Sequence, residues 1–421
     1  MKVCLINPPA PYLNQPGAQV PLGLLYLAAV LEEANHSVVV KDYSKFEQIK
    51  VMEDLEDVDV YGITCTSLQL PGVNRLAEAI KVKYPFSKVF IGGPGTCTPE
   101  YVEWDYVDVA VQGEGEEAVL ELLNGKSSFR GVFQKESTLD INDISFPARH
   151  LVSELGGNIF AYNKNYIEGG STQLLTSRGC PFNCSFCAAP QINRKVRLRS
   201  VQNVLDEIDE VVQKFKIRQF RIADDTFLSN KSRTIELCKG MAKRDIVFRI
   251  STRVKPMDEE SLSAMVDAGL KEISLGIESF DNTVLHFLNK NTTAVDNMHA
   301  LDLCDKLNIS TRLLMMIRTP FQTKDTIKYN EYFIKRVPFD IICCTHYLPL
   351  PGSDIWNNPE NYRIKIIDRD LDHYNFYGYG PEGRREMGNV FEFLDRDTQE
   401  VNEESDAFVD FIESTGKVNK G

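Results

Sequence analysis

The sequence predicts an α/β protein: a doubly wound parallel sheet over residues 1–125, a partial barrel of βα repeats over 171–350, and a small C-terminal region over 351–421. Three observations carry this. Short apolar runs alternate with helical stretches through the first 125 residues, a pattern that implies parallel strands joined by crossover helices. The alternation stops over 126–170, a stretch rich in Ser, Asn and Asp that reads as a connection. It resumes at 171 and yields six βα-type units, too few to close an eight-strand barrel.

The elements follow in order. "KVCLINPP" reads as a buried strand, and "PLGLLYLAAVLEEAN" as a helix with Pro21 in its first turn. "SVVVKDY", "VDVYGITC", "KVFIGGPG" and "YVDVAVQGEG" are further strands, separated by helical stretches such as "GVNRLAEAIKVKYP". In the second unit "TQLLTSRG" is a strand, and Val201, Val204, Leu205, Ile208, Val211, Val212 and Phe215 form a helical stripe. Strands are then predicted at "RQFRIADD", "IVFRISTR", "KEISLGIES", "STRLLMMI" and "FDIICCTHYL". The tail, with its aromatic run Tyr374 to Tyr379, fits neither pattern.

Composition bounds the function. With 43% hydrophobic and 25% charged residues, the chain of 421 can bury a sizeable core. A net charge of −13 argues against nucleic-acid or anionic-membrane partners. The opening "MKVCLINPPAP" is too short for a signal peptide, and no segment reaches the ~18 apolar residues of a membrane span. Ten cysteines without a secretion signal point to a reducing cytoplasm.

The most pointed motif is "SRGCPFNCSFCAAP", which spaces Cys180, Cys184 and Cys187 as C-x3-C-x2-C. Structural zinc needs four ligands, and the chain has no second C-x2-C or H-x3-H pair to complete the set. A disulfide framework fails on the odd number. Soft thiolates on a Gly/Pro-containing loop suit an iron–sulfur cluster, whose usual complement is four cysteines; three leave one iron open to a ligand. Other charged residues end neighbouring strands: Asp224 and Asp225 the second, Arg253 the third, Glu278 and Ser279 the fourth. Carboxylates and an arginine around one mouth suit a cofactor that bears an amino acid. The competing uses are structural: a helix or turn cap for the aspartates, an ion pair for Arg253.

The C-x3-C-x-F-C loop resembles that of radical S-adenosylmethionine (SAM) enzymes. The resemblance implies a 4Fe-4S cluster on Cys180, Cys184 and Cys187, whose open iron chelates SAM and whose reduced form yields a 5′-deoxyadenosyl radical. It implies that Phe186 flanks the adenine, and that Asp224, Asp225, Arg253, Glu278 and Ser279 line the SAM site. "FRIADDTF" and "LGIESFDNTVLHFLNKNTT" resemble the corresponding family segments. The first unit is similar to the Rossmann-like cobalamin-binding domain fused to one large radical SAM subfamily, through "INPP", "PLGLLYLAAVLE", "GITCTS", "GGPG" and "VQGEGEEAV". "LPLPGSDIW" resembles the segment after the last strand of the TIM-type partial barrel, so that the resemblance spans roughly 1–355. Two departures stand out: Gly95 where the family often has histidine, and "IRTPFQT" (Ile317 to Thr323) in place of a "GLPGET"-like turn.

Cobalamin is then expected against the strand ends of the first unit, at Thr64, Ser67, Leu68, Gln69, Leu70, Gly92, Gly93, Gly113 and Glu114. None of the six histidines (36, 150, 286, 299, 346 and 373) has an aspartate two residues before it, so the D-x-H-x-x-G mode of axial ligation is absent. Leu68, Gln69, Leu70 or water is expected at the lower face of the cobalt. Of the other cysteines, Cys65 and Cys97 lie near this face; the rest read as small buried hydrophobes. The implied activity is methyl transfer from methylcobalamin to an unactivated carbon after hydrogen abstraction. Cyclisation, ring contraction or another rearrangement is the alternative, and a non-catalytic cluster and corrinoid carrier is a third reading. A small-molecule or peptide substrate and an electron donor such as flavodoxin or ferredoxin complete the expected partners.

Overall fold

The computed structural model describes the chain except for residues 12, 14–15, 18, 126–128, 154–165, 169, 190–193, 375–388 and 419–421. Two units divide it, Met1–Tyr162 with Asp370–Asn375, and Asn163–Arg369 with Phe376–Gly421.

The first unit is a six-stranded, fully parallel sheet. Its strands are β1 (Lys2–Asn7), β2 (Ser37–Asp42), β3 (Val60–Thr64), β4 (Lys88–Gly92), β5 (Val109–Gln112) and β6 (Gly131–Gln134), in the order β2-β1-β3-β4-β5-β6. Successive residues of β1 feed opposite faces, as strand geometry requires. Val3 and Leu5 pack with the helix Leu22–Glu33, whereas Cys4 and Ile6 pack with Leu70, Val73, Ala77 and Ile80 of the helix Leu70–Lys83. The chain leaves β1 for β2 on one side and returns to β3 on the other. This reversal places the topological switch point, where such sheets open a crevice, between the carboxyl ends of β1 and β3. Pro21 occupies the N-cap of its helix, one residue before the predicted first turn. β6 arises within the stretch read as a connection: four residues, "GVFQ", with only Phe133 buried, leave no apolar run to detect.

The second sheet comprises β7 (Ser171–Leu174), β10 (Gln219–Ile222), β11 (Val247–Arg253), β12 (Leu270–Glu278), β13 (Ser310–Ile317) and β14 (Ile341–His346), adjacent in chain order and all parallel. Two short antiparallel strands, β8 (Ser177–Arg178) and β9 (Arg197–Leu198), clip the loop that follows β7. The architecture is the expected partial six-strand barrel. Near the amino ends of its strands, buried Glu272 accepts from Tyr166 at 2.9 Å and pairs with Arg249 and Arg312, each at 3.4 Å. The C-terminal region adds an antiparallel pair, β15 (Ile364–Ile366) and β16 (Phe391–Phe393), and a helix over Thr398–Ser414 capped by Asp397. After that helix Lys417 accepts from the Ile342 amide at 2.9 Å, so the tail covers the β14 edge. Tyr374 is buried, and the rest of the aromatic run lies outside the described residues. No described helix is long and apolar enough to cross a membrane.

Candidate functional site

The three cysteines stand on the loop at the carboxyl end of β7. Gly179 turns the chain at φ +94° just before Cys180. All three thiols are free and half-buried. Cys180 Sγ lies 3.5 Å from Thr226 Oγ1, and the Cys187 amide donates to the Cys184 carbonyl at 3.1 Å. Burial, with a smaller contribution from the neighbouring Cys184 and Cys180, pushes the Cys187 thiol up to about 11. The three thiols thus stand on one short loop, close enough for Cys184 and Cys180 to act on Cys187. Among the described residues no three His, Cys, Asp or Glu side chains gather as ligands of a single ion. The donor set, soft sulfur on a turn with one residue per metal position, fits a multi-iron cluster.

The loop is fastened from several sides. Asp224, fully buried, accepts from the Thr176 amide and hydroxyl at 2.6 Å each and from the Ser177 hydroxyl at 2.7 Å. Burial holds its carboxyl above the usual range, and those hydrogen bonds pull it back. Arg199, paired with Glu207 at 2.5 Å, donates to the Leu175 carbonyl, and Arg233 donates to that of Thr176. On the far side Ser185 bonds to the carbonyls of Phe287 and Leu288. Asp224 is thus a loop anchor whose carboxylate is consumed internally, a correction to its expected place in the SAM site. Asp225 points the other way, exposed, and accepts the Gly179 amide; desolvation by the flanking loop pushes its carboxyl upward.

Two further strand ends complete the mouth. Arg253, buried, donates through Nη1 to Cys184 Sγ at 2.8 Å and through Nη2 to the Lys290 carbonyl, with its guanidinium 4.0 Å from the centre of the Phe182 ring. It forms no ion pair with a carboxylate among the described residues, contrary to its structural reading. Glu278 has φ +62°, unusual for a residue with a side chain, and pairs with Lys290 at 2.6 Å. Gly276 leaves room for that pair: a Cβ there would lie 2.7 Å from Lys290 Nζ and 2.8 Å from Glu278 Oε1. Phe186 is half-buried, its ring centre 5.8 Å from the Lys290 ammonium. Ser279 turns inward instead, donating to Asn330 and accepting the Asp281 amide, which removes it from the mouth. Sequence reasoning gave Lys290 no role, although it lies inside the quoted "LGIES" segment. Arg199 and Arg233 carried no signal.

In the first unit the expected residues gather at the carboxyl ends of β3, β4 and β5. The turn after β3 packs on the turn after β4. At Gly93 (φ +95°) a Cβ would meet the Cys65 carbonyl at 2.9 Å, and at Gly95 it would meet the Thr66 carbonyl at 2.7 Å. A histidine at position 95 has no space here, which explains that departure. Around Gly92, by contrast, a Cβ would meet nothing within 4 Å, so open space stands above this strand end. Thr64 and Ser67 are half-buried beside it, Gly113 is exposed at the end of β5, and Glu114 stands at the N-cap position of the helix Gly115–Asn124 without a side-chain capping bond.

Gln69 is engaged at both ends: Oε1 accepts from the Thr66 amide at 3.0 Å, and Nε2 donates to the Pro8 carbonyl at 3.3 Å. It ties the β3 turn to the β1 turn across the switch point. Leu70 is fully buried in the core below, so its expected place at the lower face is corrected. Leu68 and Gln69 instead line an open cleft of about 410 Å³ with Pro8, Pro9, Ser44 and Arg75. No histidine is among the residues lining it. The cleft lies at the switch point between β1 and β3, where doubly wound sheets bind their ligands.

The chain is similar to known proteins over most of its length. The family model described as the radical SAM superfamily matches residues 174–329, and the one described as the B12 binding domain matches residues 14–123. It is 28% identical over 380 residues to an uncharacterized methyltransferase of Pyrococcus horikoshii, covering 85% of this chain and 82% of that one. It is 26% identical over 409 residues to the anaerobic magnesium-protoporphyrin IX monomethyl ester cyclase of Rubrivivax gelatinosus, covering 89% and 72%. Among solved structures it is similar in fold to the radical S-adenosylmethionine methyltransferase TsrM from Kitasatospora setae, solved with cobalamin and a 4Fe-4S cluster bound. That match has a TM-score of 0.67 at 17% identity and covers 88% of this chain and 81% of that one.

Proposed function

We propose that the chain, whose residues 14–123 match the B12 binding domain model and 174–329 the radical SAM superfamily model, methylates an unactivated carbon of a small-molecule or peptide substrate. The observation that carries the reading is the meeting of three free thiols, Asp225 and the Glu278–Lys290 pair at one barrel mouth. When bound, the cluster with SAM supplies a 5′-deoxyadenosyl radical, and cobalamin supplies a methyl group.

The chain's own residues do the rest. Cys180, Cys184 and Cys187 hold the iron; Asp225 accepts from the methionine amine; Phe186 lies against the adenine; Glu278, oriented by Lys290, accepts from the cofactor's hydroxyls or amine. In the first unit Thr64, Ser67, Leu68, Gly92, Gly93, Gly113 and Glu114 would hold the corrinoid, and Gln69 fixes the β3 turn that carries Leu68. Holding each reagent in a set place converts an encounter of reactive species into an oriented one. Residues 1–125 and the added strand β6 form the corrinoid unit, and 171–350 the radical unit. A low-potential protein donor such as flavodoxin or ferredoxin, a cytoplasmic location, and action without nucleic acid or membrane belong to the same reading.

A rearrangement such as cyclisation is the second reading, favoured by the likeness to the cyclase. Anaerobic turnover separates them. Methyl transfer consumes one SAM for the radical and another to recharge the corrinoid, giving 5′-deoxyadenosine and S-adenosylhomocysteine together. Substrate consumption with 5′-deoxyadenosine alone selects rearrangement.

A further inference from the structure

We propose that Arg253 is a positioning residue for the cluster: its guanidinium is the hydrogen-bond donor and local countercharge of the Cys184 sulfur and sets how readily the cluster accepts an electron. The inference rests on the cluster assignment above and deepens it. The sequence alone suggested a different task, gripping the SAM carboxylate.

The geometry argues against that task. A guanidinium holds a carboxylate best with two parallel N–H groups. Here Nη1 is committed to Cys184 Sγ at 2.8 Å and Nη2 to the Lys290 carbonyl, while the flat face rests on Phe182 at 4.0 Å. Both terminal nitrogens are therefore engaged before any carboxylate arrives, and Nε is buried without a partner.

Charge supplies the second line of argument. The other buried cations around this loop have their own acids: Lys290 has Glu278 at 2.6 Å, and Arg199 has Glu207 at 2.5 Å. Arg253 is 7% exposed and has no carboxylate partner among the described residues. A buried cation left alone is costly, so the fold implies a negative charge beside it. Thiolates ligating a cluster provide that charge at Cys184. A hydrogen bond and a positive charge at a ligating sulfur favour the more negative, reduced cluster and so raise its midpoint potential. In the step concerned one electron passes from the protein donor to the iron, taking the cluster from the 2+ to the 1+ state; no bond is made or broken.

The test uses the full chain, reconstituted anaerobically with iron and sulfide and titrated without SAM, with the reduced cluster read by electron paramagnetic resonance. In Arg253→Gln the midpoint should fall well below wild type, and in Arg253→Lys it should fall less, while SAM affinity holds in both. An unchanged midpoint in Arg253→Gln with SAM binding lost would overturn the proposal in favour of a carboxylate grip. If Arg253→Gln loads no cluster, Arg253→Lys decides: a lowered midpoint supports the proposal and a wild-type midpoint overturns it. Failure of both variants to load would overturn it as well, because a tuning residue is not needed for assembly. A wild-type chain that loads no cluster would overturn the functional reading itself, a result distinct from all of these.

Discussion

Lys290→Met removes one partner of a buried ion pair, and the structure sets the size of the effect. Lys290 Nζ and Glu278 Oε1 are 2.6 Å apart, with side chains only 5% and 10% exposed. At an effective dielectric of about 20 their gross attraction is about 6 kcal/mol. Much of that offsets the desolvation of the two charges, so the net value of the pair is smaller. The loss of one partner is larger, because it strands the other: about 3–5 kcal/mol for a buried pair. Glu278 also holds a left-handed backbone, itself worth about 1–3 kcal/mol of strain that its contacts must contain. Urea unfolding of the full chain can be read at Trp356, which is buried in the second unit, after Trp104→Phe silences the only other tryptophan. Lys290→Met and Glu278→Gln should each cost about 3–5 kcal/mol, and the double variant well below their sum. A coupling energy of at least about 2 kcal/mol is expected from the cycle. Additivity within about 0.5 kcal/mol would refute the pairing and with it the orientation assigned to Glu278.

Three further outcomes follow from the same geometry. Alanine at any one of Cys180, Cys184 or Cys187 should abolish cluster assembly, read as iron content and as loss of 5′-deoxyadenosine production; normal iron in a single variant would contradict the ligand set. Asp224→Asn should loosen the cluster loop and lower iron loading. Its carboxyl is held above the ordinary value of 3.8, so the folded chain binds that proton more tightly than the unfolded chain does. Its stability contribution should therefore fall as pH rises from about 3.8 through the raised folded value, a slope that unfolding curves of Asp224→Asn should lack. Protein-bound cob(II)alamin should show no nitrogen superhyperfine splitting in its electron paramagnetic resonance spectrum, whereas Leu68→His should introduce it; splitting in the wild type would disprove the histidine-free lower face.

Much of the fold was legible because parallel strands buried on both faces are written as apolar runs, as in Val3 to Ile6 and Leu313 to Ile317. β6 was not, because an edge strand of four residues with one buried side chain has no such run. The cysteine loop stood out in the sequence by its C-x3-C-x2-C spacing. What the sequence could not show was the direction of side chains at strand ends. Asp224 and Asp225 are adjacent and point opposite ways, so at most one can face the mouth; only the hydrogen bonds to Thr176 and Ser177 reveal which. Leu68 and Leu70 differ in the same manner, one lining the cleft and the other in the core. The pairings of Arg253 with Cys184, 69 residues apart, and of Arg233 with Thr176, 57 apart, depend on strand order and left no local trace.

Whether one chain joins a SAM-cleaving cluster to a methyl-carrying corrinoid is decided by an anaerobic, substrate-free incubation of the chain, loaded with iron, sulfide and cobalamin, with methyl-labelled SAM and a low-potential reductant. Label should appear on the bound corrinoid with an equal amount of S-adenosylhomocysteine, together with slow release of 5′-deoxyadenosine that disappears in Cys184→Ala. Protein carrying both cofactors that neither labels the corrinoid nor releases 5′-deoxyadenosine would contradict the joint assignment.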